Sequence, residues 1–237
     1  MQLKKQTGFT LVEIAIVLVI VGLLIGGVLK GQEMITNAKL KRMESDNAGI
    51  AAAMFSYQDR YLQLPGDDSS ATGRFDVYTD ATTAGGAGFT VATGTTPGEA
   101  DGDGDGLIGD GDDWDDLDTN NVMVAASAEA SKFWGHLRAS GLVPGGNGIE
   151  TTRPSNAYGG LMGIQDGSLD IVGHVIIFGG IEGSIARIVE ARLDDGSPKF
   201  GRIQADKADG TQVMDAGTTS GSDAYLEDER YNMAFRL

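Results

Sequence analysis

The chain has 237 residues, 41% of them hydrophobic, which suffices for one core, or for one core and a membrane helix, and leaves no room for two unrelated large domains. That apolar content excludes disorder throughout, and 36 Gly against 5 Pro points to a loop-rich domain. Residues 1–44 hold six Lys/Arg against three Glu, whereas the remainder holds 12 basic and 31 acidic residues, which excludes nucleic acid as a partner of that part because phosphates need cations to neutralise them.

The first element is Phe9 to Leu29, FTLVEIAIVLVIVGLLIGGVL, with a single charge at Glu13. At about 1.5 Å per residue it predicts roughly 31 Å of helix, the thickness of a bilayer core. A secretory signal would have a shorter apolar stretch ending near small residues, and none follows here. A carboxylate near the middle of a membrane costs about 2.5 to 3.5 kcal/mol, so Glu13 calls for a cation or a function; an interfacial, hydrated position is the other reading. Charge alone does not orient the span, since Lys30, Lys39, Lys41 and Arg42 outnumber Lys4 and Lys5.

The stretch Lys4-Lys5-Gln6-Thr7-Gly8-Phe9-Thr10-Leu11-Val12-Glu13 resembles the processing signal of type IV prepilins and type II secretion pseudopilins. The resemblance implies that a prepilin peptidase cuts between Gly8 and Phe9 and that Phe9 becomes the N-methylated terminus. It also implies that Glu13, the fifth mature residue, is an assembly residue that pairs with the terminal ammonium of a neighbouring subunit. The implied partners are copies of the chain or other pilin-like subunits, the prepilin peptidase, an inner-membrane assembly platform and membrane lipid. The implied location is the bacterial inner membrane, single-pass, with the globular part in the periplasm or on an extracellular filament.

Beyond the membrane the helix is expected to continue, because Met43, Ile50, Met54, Tyr57 and Tyr61 recur on one helical face, the pattern of core packing. Pro65 and Gly66 end the pattern. Residues 67–121 read as a long surface excursion with a short strand near Phe75, Val77 and Tyr78. Inside it, Asp101-Gly-Asp-Gly-Asp-Gly-Leu-Ile-Gly-Asp-Gly-Asp112 fits a calcium loop, with Asp101, Asp103 and Asp105 as alternating ligands, Leu107 giving a carbonyl and Asp112 standing where a longer Glu is usual. Asp110 or Asp113 are alternatives for the last ligand. The competing reading is a solvated, glycine-rich acidic loop.

A helix is expected over 121–140, capped by Asp118 or Thr119, with Ala126, Ala130, Phe133 and Leu137 on one face and Gly141 as its stop. His136 on it reads as a surface or packing residue. Ile171 to Phe178 is the strongest strand, apolar enough to be central in a sheet, with His174 as a packed or edge side chain. Ser184 is expected to cap a short helix presenting Ile185, Ile188, Val189 and Leu193, followed by a strand over Phe200 to Gln204 and a closing strand over Tyr231 to Leu237. Residues 133–142 and 193–198 also resemble segments of pilin-like proteins.

The predicted class is α+β: a long N-terminal transmembrane helix, a pilin-like stalk, packed on a small antiparallel β-sheet domain with long loops. Its parts are a leader over 1–8, a helix over 9–64 (membrane 9–29, stalk 30–64) and a globular domain over 65–237 carrying the acidic loop 99–116. The absence of cysteine excludes disulfides and thiol chemistry. No nucleophile elbow, phosphate loop, zinc motif or histidine constellation is present, and the acidic cluster Asp112, Asp113, Asp115 and Asp116 does not by itself make a hydrolase, so no catalytic residue is assigned. The functional expectation is a filament or pseudopilus subunit; the alternative is a membrane-tethered, calcium-dependent binding module or minor tip subunit.

Overall fold

The computed structural model describes residues 11–75, 101–109, 129–145, 153–207 and 225–237. The chain divides into two compact units, Met1–Arg42 and Met43–Leu237. The boundary falls inside α1, Leu11–Tyr61, a single helix of 51 residues. The expectations on Gly8, Phe9, Asp112, Val77, Tyr78 and the helix over 121–128 with its cap lie outside the described residues.

In the first unit every side chain from Leu11 to Leu29 is exposed. An 18-residue window of α1 reaches a mean hydropathy of 2.8 with none of it buried, so the helix is long and apolar enough to cross a membrane. Past it, the first polar pair on the helix is Lys30 Nζ with Glu33 Oε2 at 2.8 Å, an exposed i,i+3 contact.

The second unit begins with the lower part of α1, where Met43, Ile50, Met54 and Tyr57 are buried in a stripe, as the spacing predicted, while Tyr61, the last residue of that pattern, is half-buried. The helix stops earlier than Pro65 alone would demand. Leu62 takes the left-handed conformation at φ 57, with its N–H still bonded to Gln58 O at 2.8 Å, which closes the last turn.

The short helix α2, Ala71–Arg74, precedes the acidic segment. Next comes α3, Glu129–Ala139, which buries Ala130, Phe133, Trp134, His136 and Leu137. It ends as expected at Gly141, φ 73, where Leu142 N–H bonds Leu137 O and Gly141 N–H bonds Arg138 O, both at 3.0 Å, the paired bonds of a Schellman cap.

Four antiparallel strands follow: β1, Met162–Ser168; β2, Ile171–Glu182; β3, Ile203–Lys207; and β4, Arg230–Arg236. Their order is β1-β2-β4-β3, so β2 is central. Its Val175 to Phe178 run is buried on both faces: Ile171, Val175 and Ile177 cluster with Ala234, while Phe178 packs edge-on to Phe235 at 5.1 Å. A register shift between Phe178 and Ile181 marks a bulge whose backbone groups find side chains. Asn156 Nδ2 donates to Gly179 O at 2.8 Å, and Gly180 N–H donates to Asn232 Oδ1 at 3.2 Å.

Helix α4, Gly183–Leu193, starts directly after β2 and packs on β2 and β4. Two expectations about it are corrected. Its N-cap is Glu182, without a side-chain cap bond, in place of Ser184. Its buried face carries Ala186, Val189 and Glu190, while Ile188 and Leu193 are 42% and 43% exposed. The strand expected at Phe200 begins three residues later, leaving Phe200 exposed, and the Tyr231 strand lies inside the sheet between β2 and β3.

Candidate functional site

Two regions carry chemistry: the apolar start of α1 and an acidic centre in the second unit. Glu13 stands in the first turn of α1, where the partial positive charge of the helix end favours a carboxylate. Gly22 and Gly26, four residues apart, have nothing within 4 Å of where a β-carbon would sit.

The acidic centre is organised around two carboxylates from outside the Asp-Gly run. Asp67, buried just after the α1 turn, accepts Gly104 N–H at 2.6 Å on one oxygen and Gly106 N–H at 2.9 Å on the other. Glu129, in the first turn of α3, accepts Asp103 N–H at 2.9 Å and Gly109 N–H at 3.2 Å. The alternation of Asp and Gly has a local cause. Asp103 Oδ1 accepts Asp105 N–H at 3.1 Å and Asp105 Oδ1 accepts Leu107 N–H at 2.8 Å, while Gly104 and Gly106 supply φ 80 and 91. Gly102 runs so close to the backbone of Asp67 that a β-carbon there would lie 2.2 Å from its carbonyl carbon. Ile108, fully buried, anchors the loop, and its carbonyl accepts Asp166 N–H at 2.9 Å.

The structure brings Asp103 and Asp105 together with Asp67 and Glu129, with one oxygen from each lying within 4.8 Å of the others. A shell of oxygens about 2.4 Å from one ion has that diameter, and four carboxylates suit a hard cation. Asp101 is placed apart: its carboxylate accepts Thr72 N–H at 2.6 Å, and its carbonyl accepts Lys132 Nζ at 2.7 Å. Leu107 is partly exposed at the loop surface, and Asp112 lies outside the described residues. Burial raises the Asp67 carboxyl above its ordinary range; the Gly106 and Gly104 N–H bonds oppose this, and the Asp105 and Asp103 charges add to it. Glu129 is raised in the same way, by burial first, with the Asp67 and Asp103 charges adding to it.

The two histidines take packing roles. His136 is fully buried, accepts Gly66 N–H on Nδ1 at 2.9 Å and stacks on Tyr57 at 6.1 Å. His174 Nδ1 lies 3.1 Å from Asp166 Oδ1 across the β1–β2 pair.

A family model described as the prokaryotic N-terminal methylation motif matches residues 3–29. The chain carries the prepilin-type signal of type IV pilins and pseudopilins. No curated protein and no solved structure matches it. The prepilin-type signal supports a pilin-like substrate of prepilin peptidase, and its apolar part coincides with the exposed start of α1.

Proposed function

We propose that this chain is a structural subunit of a type IV pilus-like filament or of a type II secretion pseudopilus. The observation that carries the reading is the prepilin-type signal on the start of a helix long and apolar enough to cross a membrane, where every side chain from Leu11 to Leu29 is exposed. Such a surface needs lipid before assembly and neighbouring helices after it. Gly22 and Gly26 allow those helices a close approach.

In this reading residues 1–8 are a leader left in the cytoplasm, and the peptidase cuts between Gly8 and Phe9 and methylates Phe9. Residues 9–29 then hold the subunit in the inner membrane beside an assembly platform, with 30–64 as a stalk and 65–237 as the globular part in the periplasm or on the filament. Glu13 pairs with the Phe9 ammonium of a neighbour, so that register is set by a charge pair in a dry interior. No reaction is assigned to the chain. The test is Glu13→Ala: leader removal stays normal, while recovery in sheared filaments falls at least about tenfold. Normal incorporation of the variant contradicts the assembly role.

The acidic centre favours a second element of the proposal, a structural calcium ion held by Asp67, Asp103, Asp105 and Glu129. The loop pattern also names Asp101, Leu107 and Asp112; Asp101 stands apart from the four-carboxylate cluster, with its carboxylate on Thr72 N–H, and Asp112 lies outside the described residues. Calcium would neutralise carboxylates that otherwise repel one another and would order the loop. Added calcium is expected to raise the melting temperature of the full chain, less so in Asp105→Asn; equal melting with calcium and with chelator contradicts it. A tethered calcium-dependent binding module, or a minor tip subunit, shares this centre and is distinguished by low abundance relative to other filament subunits.

A further inference from the structure

A second carboxylate group lies at the far end of α4, away from the Asp-Gly loop in sequence. Glu190 is fully buried on the last turns of α4. One of its oxygens accepts the Tyr225 hydroxyl at 3.0 Å; the other, Oε2, meets no hydrogen-bond donor among the described residues. A buried carboxylate oxygen without a donor is costly, and natural structures rarely leave one so. Asp194 and Asp195 follow the helix directly, and one oxygen from each lies within 4.8 Å of one from Glu190.

The two aspartates are held in place by the backbone. Asp194 caps α4, its N–H bonded to Glu190 O at 2.8 Å. Its Oδ2 accepts the N–H groups of Arg202 and Ile203. Gly201, at φ +94, passes so close to this carboxylate that no β-carbon fits there. Asp195 Oδ1 accepts Ser197 N–H at 2.8 Å, which fixes the turn after the helix. These bonds use one oxygen of each aspartate and leave the other outside them. The end of α4 adds the partial negative charge and the carbonyls of a helix C-terminus. Arg192 on the same turn reaches towards Glu44 at 3.9 Å.

We infer that Glu190, Asp194 and Asp195 form a binding site for a hard divalent cation, calcium, at the C-terminal end of α4. The donors are all oxygen, their spacing fits one coordination shell, and the cation supplies the partner that Glu190 Oε2 otherwise lacks. Burial lifts the Glu190 carboxyl to about 8; the Tyr225 hydrogen bond opposes the rise, and the Asp194 and Asp195 charges add to it. The Asp194 and Asp195 charges beside it are ones that a bound cation would offset. The site ties α4 to the turn that leads into β3 and, through Tyr225, to the segment that leads into β4.

The experiment uses the full chain in detergent, stripped with chelator and carrying Asp103→Asn and Asp105→Asn so that the Asp-Gly loop contributes no calcium binding. Calorimetric titration with calcium chloride is expected to give one ion per chain. Adding Asp195→Asn, at an exposed position that leaves the core untouched, is expected to weaken that binding about tenfold or more, because affinity follows the ligand charge count. Glu190→Gln is expected to abolish it. Absence of binding in the chain carrying Asp103→Asn and Asp105→Asn, or an affinity unchanged by Asp195→Asn, overturns the inference.

Discussion

Tyr57→Phe is a clean test of how the lower part of α1 is fastened within the second unit. The Tyr57 hydroxyl donates to Asp68 Oδ2 at 2.6 Å, and both residues are fully buried. The substitution keeps the ring contacts with Tyr61 at 4.6 Å and His136 at 6.1 Å, so it deletes one hydrogen bond and little packing. Hydrogen bonds to a charged group contribute about 1.5 to 3 kcal/mol. Asp68 retains Arg74 Nε at 3.1 Å and Ser70 N–H at 2.9 Å, which places the expected loss near the lower end, about 1.5 kcal/mol. That is a roughly tenfold shift in the unfolding equilibrium. Urea unfolding of the full chain in detergent, followed by tryptophan fluorescence, to which the buried Trp134 contributes, reads it. A double-mutant cycle with Arg74→Met is expected to show coupling, because both partners serve one carboxylate. A loss below about 0.5 kcal/mol would refute the reasoning that this buried bond is a main fastening of the helix.

Other expectations follow from the same contacts. Phe178→Ala should destabilise by about 3 to 5 kcal/mol, measured by the same unfolding curve, since the ring is fully buried in the centre of β2. Gly160→Ala should cost more than about 2 kcal/mol, because a β-carbon there would lie 1.8 Å from Gly179 O, where the bulge is held by Asn156. Gly49→Ala, with nothing within 4 Å of the new methyl, should instead stabilise α1 by about 0.5 to 1 kcal/mol in thermal melting.

The parts of the fold that were legible in the sequence are those where local pattern and tertiary burial agree. β2 could be read because Val175 to Phe178 is apolar on both faces, and α3 because its apolar face ends at a glycine able to take φ 73. The face of α4 was misread for the opposite reason. Its core side includes Glu190, a carboxylate that hydrophobic periodicity assigns to solvent, while Ile188 and Leu193 remain half-exposed. β1 escaped notice because Met162-Gly-Ile-Gln-Asp-Gly-Ser holds two glycines and buries Gln165 alongside Ile164. In the acidic centre, the loop pattern pointed to Asp103 and Asp105, but nothing in local spacing could name Asp67 or Glu129. Those two arrive from 36 residues before Asp103 and 26 after it, and they are tied to the loop by backbone N–H groups that any sequence would supply. By contrast, the prepilin-type signal is contiguous, so it was legible in full.

The most direct test of the account is the intact mass and N-terminal sequence of the chain isolated from its native membrane, with and without an active prepilin peptidase. The account predicts a chain beginning at N-methylated Phe9 when the peptidase is present and at Met1 when it is absent. A Met1 start in both, or a cut beyond Leu29, would contradict it.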